Sequence, residues 1–170
     1  GAMLSVALGE AEIQTYLTSD LSLAAVNAPQ LCVVSGTETA IAQLQKDLEN
    51  NNIACRLLHT SHAFHSEMME PVLKEFSAEI SNITLNAPQK LFISNVSGSW
   101  LTEKEATDPH YWSTHLRKTV RFADGIFELS KEPQRISIEV GPGKTLSTLT
   151  QQNLGLNSEQ VILTSLRHPK

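Results

Sequence analysis

An apolar run from Met3 to Leu8 that stops at Gly9 opens the chain and predicts a strand. Glu10 to Leu17 follows with Ile13 and Leu17 four apart on one face and acidic Glu10 and Glu12 in the first turn, where a helix dipole favours them, so this stretch predicts a short helix. Leu21 to Val26 and Leu31 to Val34 are strand-like runs separated by Asn27-Ala28-Pro29-Gln30, which carries the Asn and Pro that turns prefer, and they predict a hairpin. Thr37 to Asn50 places Ile41, Leu44 and Leu48 on one stripe, with Thr37 as a possible N-cap and Asn50-Asn51-Asn52 as a stop, and predicts a helix. Ala54 to His59 then predicts a strand. The order βαββαβ is that of the ferredoxin-like unit, a small antiparallel sheet with both helices on one face, expected over residues 1–59.

After His59 helical spacings alternate with short apolar runs, the pattern of a parallel α/β sheet. Ser66 to Ile80 predicts the clearest helix, with a stripe of Met69, Val72, Leu73, Phe76 and Ile80, Ser66 as N-cap and Glu67 in the first turn. Leu91 to Ser94 predicts a strand ending in an Asn95-Val96-Ser97-Gly98 turn. Helices are expected over Tyr111 to Leu116, Phe122 to Leu129 and Lys144 to Gln152, and strands over Ile136 to Val140 and Val161 to Leu163. Three short strands are few for a parallel sheet, which is normally covered on both faces, so residues 60–170 are expected to complete a larger sheet whose other strands lie outside this chain. Such a sheet edge would favour dimerisation or aggregation.

Composition narrows the function classes. The 170 residues carry 41% hydrophobic side chains, enough for a core, and 13 Lys and Arg against 18 Asp and Glu give a formal charge of -5. No basic field exists to gather nucleic acid or anionic lipid, and neither is an expected partner. Cys32 and Cys55 are too few for a disulfide scaffold and read as buried thiols. No apolar run reaches the length of a membrane helix and no secretory signal is visible, so a cytoplasmic location is expected and the sequons at Asn82 and Asn95 are read as chance.

Two segments invite chemistry. His59, His62 and His65 crowd into seven residues at the entry to the long helix. Zinc is one reading of the spacing, but no Cys or carboxylate adjoins these residues in sequence, so no metal is expected. Histidines satisfied in a loop are a second reading. The third rests on position: His65 would sit before a helix N-terminus, whose positive end opposes an imidazolium and favours a neutral ring able to act as a general base. Gly141-Pro142-Gly143-Lys144-Thr145 resembles a phosphate loop but has Ile138 where the motif needs its first glycine, and is expected to be a tight strand-to-helix turn. The G-x-S-x-G nucleophile elbow is absent from the 170 residues.

The segments Gly1-Ala2-Met3-Leu4-Ser5-Val6, Ala25-Val26-Asn27-Ala28-Pro29 with Val33-Val34-Ser35-Gly36, Ser61-His62-Ala63-Phe64-His65-Ser66, Tyr111-Trp112 with Leu116-Arg117 and Val120-Arg121-Phe122, and Glu139-Val140-Gly141-Pro142-Gly143 occur in this order. Together they resemble the acyltransferase domain of modular polyketide synthases, a family that includes malonyl-CoA:acyl carrier protein transacylase. The resemblance implies an α/β fold, the ferredoxin-like subdomain followed by the C-terminal part of an α/β-hydrolase-like subdomain. It also implies transfer of an acyl unit from CoA through a serine ester to the phosphopantetheine thiol of an acyl carrier protein, with no tightly bound cofactor.

By the same resemblance His65 matches the catalytic histidine, and Arg121 the position whose backbone carbonyl orients it. His62 and Phe64 belong to a signature of malonyl-selective members, in which Phe64 crowds an α-methyl group, and Asn27, in the hairpin turn, lies near the carrier arm. Acyl-CoA, an acyl carrier protein and neighbouring synthase domains are the implied partners. The family's serine elbow, oxyanion glutamine and carboxylate-binding arginine are expected in a part preceding Gly1, so the chain alone is expected to be inactive. The alternative is a non-catalytic module that docks a carrier protein.

Overall fold

In the computed structural model, which describes residues 1–155 and 158–166, the first half of the chain folds around one antiparallel sheet. Its elements are β1 (Ala2–Val6), α1 (Glu10–Ile13), β2 (Leu21–Ala28), β3 (Leu31–Gly36), α2 (Glu38–Asn50) and β4 (Cys55–Leu57). The strands lie in the order β2-β3-β1-β4, the ferredoxin-like arrangement that the periodicities predict. Thr37 caps α2 by accepting a bond from the Ala40 amide at 3.2 Å. The α2 stripe of Ile41, Leu44 and Leu48 is buried with Ile13 of α1 against Leu4, Val6, Cys32 and Val34. The predicted first helix is shorter than its spacing suggests, because Gln14–Tyr16 tightens into a 3₁₀ turn and the Thr15 hydroxyl bonds back to the Glu12 carbonyl.

The alternation of β2 is broken twice. In the β2–β3 register Leu23 faces Val34 but Ala25 faces Val33, and Val26 faces Cys32 but Ala28 faces Leu31. Ala24 and Asn27 are therefore extra residues in the strand, two β-bulges. The first lets Leu21 and Leu23 face the helical side while Ala24 and Ala25 enter a second cluster with Val33. That second cluster, on the sheet face opposite α2, is completed by Met3, Leu58 and Val120. Asn27 thus belongs to the strand and not to the hairpin turn, which is reduced to Pro29 and Gln30, because the bulges extend β2 by pairing two residues against one.

In the second half a 3₁₀ turn at Glu67–Met69 leads into α3 (Glu70–Ser81), followed by α4 (Glu103–Ala106), α5 (Pro109–Arg117), α6 (Phe122–Ser130), β5 (Ile136–Glu139), α7 (Thr145–Leu154) and β6 (Val161–Thr164). Ser66 is the N-cap that its position predicts, accepting from the Met68 amide at 3.2 Å. The α3 stripe is only half covered, with Val72 exposed. The strand expected at Leu91 to Ser94 is not formed. This segment doubles back on itself instead, through one bridge between Ile93 and Trp100 and the bonds from the Ser94 amide to the Ser99 carbonyl and from the Leu101 amide to the Phe92 carbonyl. The Phe92 and Ser94 carbonyls and the Ser94 amide are used in that hook, and Leu91 is 76% exposed.

Strands β5 and β6 pair in parallel from Ile136 opposite Val161 to Glu139 opposite Thr164, and no third strand joins them among the described residues. Ile136, Ile138, Val161 and Leu163 are exposed and Val140 is 86% exposed. Between β5 and α7 the chain turns at Gly141 (φ 144) and Gly143 (φ 100), conformations that side-chain-bearing residues rarely adopt. The Glu139 carboxylate then closes the turn, accepting from the Ser147 amide at 2.8 Å, the Ser147 hydroxyl at 2.7 Å and the Leu146 amide at 3.2 Å. The amides that a phosphate would need are already occupied by a carboxylate of the chain, so this turn is a self-capped helix start.

Those bonds, the Ser147 amide foremost, hold the Glu139 carboxyl below the ordinary carboxylate range. A lowered folded-state pKa adds stability above the unfolded value that is lost as pH falls. Glu139→Gln is expected to lower the melting temperature at pH 7, with the gap from the wild type closing as pH drops below about 4, as thermal denaturation followed by circular dichroism at several pH values would show.

Candidate functional site

Two histidines from distant parts of the chain meet where the long helix begins. His65 adopts φ 56, a left-handed conformation uncommon for a residue with a side chain. Its neighbours hold it there. Ala63 and Ser66 are both buried, and the Ser66 hydroxyl donates to the Ala63 carbonyl at 2.6 Å while accepting from the Met68 amide. The ring therefore turns toward the C-terminal end of α5, where Nδ1 lies 2.9 Å from the Lys118 carbonyl oxygen. A carbonyl only accepts, so Nδ1 carries the proton and donates it. In the neutral ring Nε2 is then the free lone pair, the state a general base requires.

Position before a helix N-terminus is only part of the electrostatics. Burial comes first and pushes the His65 pKa below its ordinary value of 6.5; the Lys118 carbonyl pulls it back up, and the charge of His115 pushes it down again. The carbonyl end of α5 thus opposes the effect expected from the following helix start. The His65 and His115 rings meet edge to face with centroids 6.3 Å apart, and His115 is itself 6.3 Å from both Tyr111 and Trp112. Tyr111 is fixed by a 2.7 Å bond between its hydroxyl and that of Ser94, and the Trp112 indole donates to the Ala106 carbonyl at 3.1 Å. Burial lowers the pKa of His115 as well. His115 carried no motif of its own in the sequence; its position one helical turn beyond Tyr111 is the signal that could have found it.

Of the other residues singled out by sequence, Phe64 and His62 are gathered and the rest are not. Phe64 is 36% exposed beside His65 and lies 5.8 Å from the His62 ring, whose Nδ1 is bonded to its neighbour Ser61 at 2.9 Å. Arg121 does not present its carbonyl to His65. That oxygen accepts the Gly125 amide at the start of α6, and the bond falls to Lys118, three residues earlier. The Arg121 side chain is also committed, to both oxygens of Glu10 at 2.6 and 3.0 Å and to Asp124 at 2.6 Å. Those carboxylates raise the pKa of its guanidinium further.

Asn27 directly follows Val26, whose amide donates to the Val120 carbonyl at 2.9 Å, and its own side chain makes no hydrogen bond to His65, His62 or Phe64. Its carbonyl accepts from Asn153 of α7. Cys32 and Cys55 are free thiols, that of Cys32 pushed up by burial to about 11 and therefore unreactive. Among the described residues no three His, Cys, Asp or Glu side chains gather as metal ligands, and no helix is long and apolar enough to cross a membrane.

Because burial lowers both imidazole pKa values in the folded chain, the unfolded chain binds protons first as pH falls below 6.5. Their contribution to stability is present above that value and is lost below it. His65→Gln with His115→Gln is expected to flatten the fall in melting temperature between pH 7 and pH 5 that the wild type shows.

Known proteins resemble this chain along nearly its whole length. The family model described as the acyl transferase domain matches residues 1–167. One component of the phenolphthiocerol/phthiocerol polyketide synthase of Mycobacterium tuberculosis is 34% identical over 169 residues, 99% of this chain and 11% of that protein. Polyketide synthase GfsA of Streptomyces halstedii is 35% identical over 158 residues, 91% of this chain and 2% of its own length. The chain thus spans about a tenth or less of these curated relatives. In structure it resembles the acyl transferase domain of SpnD, in complex with 2-(pent-4-yn-1-yl)malonyl, with a TM-score of 0.95 at 36% identity over all of this chain and 41% of that one. The acyltransferase domain from the second module of the salinomycin polyketide synthase follows with a TM-score of 0.91 at 37% identity, over 99% of this chain and 40% of that one. The match of the family model along residues 1–167, on a mixed α/β framework shared with these solved domains, makes this chain a member of the acyl transferase domain family, with polyketide synthases among its relatives.

Proposed function

We propose that this chain is the part of a polyketide synthase acyltransferase domain that carries its general base. His65 is that base. The observation supporting the assignment is the Nδ1 bond to the Lys118 carbonyl, which leaves Nε2 unprotonated and free. In the first half-reaction a serine hydroxyl attacks the thioester carbonyl of acyl-CoA as Nε2 takes its proton. The tetrahedral centre collapses to a serine ester, and the CoA thiolate leaves with the proton returned by the imidazolium. In the second, Nε2 takes the proton of the phosphopantetheine thiol of an acyl carrier protein. The thiolate attacks the ester, and the serine oxygen recovers the proton as it leaves.

No G-x-S-x-G turn occurs among these 170 residues, and the serine, the oxyanion donors and the group that binds the acyl carboxylate belong to an accompanying segment. The half-covered α3 stripe and the exposed Ile136, Ile138 and Val140 of the β5 strand and turn are apolar surface for such a segment to cover. The partners proposed are acyl-CoA, an acyl carrier protein and the neighbouring domains of a synthase; the residue boundary between a ferredoxin-like subdomain and the rest is proposed at His59. Malonyl is the acyl unit proposed, because Phe64 beside the base crowds a substituent on the α-carbon. The 36% identical acyl transferase domain of SpnD is in complex with 2-(pent-4-yn-1-yl)malonyl, which bears a substituent on that carbon, so the proposal of malonyl rests on Phe64 of this chain alone.

The chain alone is expected to remain unacylated on incubation with malonyl-CoA. Joined or co-expressed with a segment of this family that bears the serine elbow, it is expected to gain one malonyl group by intact-mass spectrometry. His65→Ala is expected to slow that loading by about 10²–10⁴-fold, the usual range for loss of a general base. Equal loading of wild type and variant would sink the assignment.

A further inference from the structure

Residues 118–121 form a short extended strap, and what fixes its position fixes His65. Val120 lies as a parallel bridge on Ala25, its amide donating to the Ala24 carbonyl at 2.8 Å and its carbonyl accepting from Val26 at 2.9 Å. The Thr119 hydroxyl donates to the Leu23 carbonyl at 2.7 Å. The strap therefore sits on the free edge of β2, the outermost strand of the sheet. At its first residue the Lys118 carbonyl receives His65 Nδ1; at its last, the Arg121 guanidinium grips Glu10 through both oxygens and Asp124 through a third contact.

The lengths make the coupling strict. A slide of the strap by one residue along β2 would carry the Lys118 carbonyl by about 3.3 Å, more than the whole 2.9 Å of its bond to His65. The backbone bonds to β2 could in principle re-form after such a slide in another register. The fork of Arg121 cannot, because planar bidentate pairing accepts one geometry and Glu10 opens α1, whose Ile13 is fully buried in the core. Arg121 is 26% exposed and Glu10 40%, so the pair is partly shielded from solvent. Asp124, by contrast, lies on α6 three residues from Arg121 and ties the strap only to the helix that continues it.

We propose that the Arg121–Glu10 pair is a positioning device for His65, setting where along β2 the strap stops and thereby which nitrogen of the imidazole carries the proton. This rests on the reading of His65 as the base, yet its readout needs no turnover. The ring tautomer of His65 in the full chain can be followed by ¹⁵N shifts of the imidazole above its titration range. Nδ1–H is expected to dominate in the wild type. In Arg121→Gln the Nε2–H form is expected to become the major species, Arg121→Lys to give an intermediate mixture, and Asp124→Asn to leave the ring as in the wild type. Glu10→Gln is expected to reproduce Arg121→Gln, and the double variant to add nothing further. Amide resonances of Ile41, Leu44 and Leu48 report that the sheet remains folded.

An unchanged Nδ1–H ring in both Arg121→Gln and Glu10→Gln would overturn the proposal, as would an Asp124→Asn effect equal to theirs. A wild-type ring already in the Nε2–H form would overturn the catalytic geometry itself. The catalytic reading fails separately if His65→Ala loads acyl groups normally while the tautomer still follows Arg121.

Discussion

The bond between the His65 ring and the Lys118 carbonyl is the constraint on which the rest of this architecture converges. One partner comes from a left-handed turn between buried Ala63 and Ser66, the other from the C-cap of α5, 53 residues later. Neither would hold its place alone. The turn is clamped by the Ser66 hydroxyl bridging Ala63 and Met68, and the end of α5 by Arg117, which bonds Glu70 of α3 at 2.7 Å. The small sheet enters as the third support, since its β2 edge carries the strap. What looks like a separate subdomain is thus part of the scaffold of the histidine, and its bulges follow from the need to cover both faces of β2.

Electrostatically the site balances opposing influences. Removing the ring from water disfavours the imidazolium, and the neighbouring His115 adds to that; the carbonyl end of α5 works the other way. A ring held below its ordinary pKa is neutral at pH 7, the state in which the proposed base can take a proton. The aromatic group of Tyr111, Trp112 and His115 supplies the dry side of the balance, anchored by Ser94 and Ala106 so that it stays packed.

Much of the fold was legible in the order of the chain, because amphipathic spacing writes directly into it: the α2 stripe, its Thr37 cap and the βαββαβ sequence are all present. The exceptions share a cause. Leu91 to Ser94 has the apolarity of a strand, yet a strand needs a neighbour, and the chain folds this segment onto Trp100 and Leu101. The bulges at Ala24 and Asn27 are invisible because a run of apolar residues fits either face until the register is known. The short helix α4 was overlooked although Thr102-Glu103-Lys104-Glu105 spells a capping box, which the structure closes. In the site, His65 was marked by its motif but its acceptor was not. A backbone carbonyl belongs to every residue and leaves no mark of its own in sequence, so the resemblance pointed to Arg121 where the structure uses Lys118.

The turn before α7 spends its positive end on its own chain. With the Ser147 and Leu146 amides already serving Glu139, this glycine-rich corner answers an internal anion and not an external one, despite a lysine and a threonine at its rim. A sequence that looks like a ligand loop is here a lock between strand and helix, and its charge is neutralised by the fold itself.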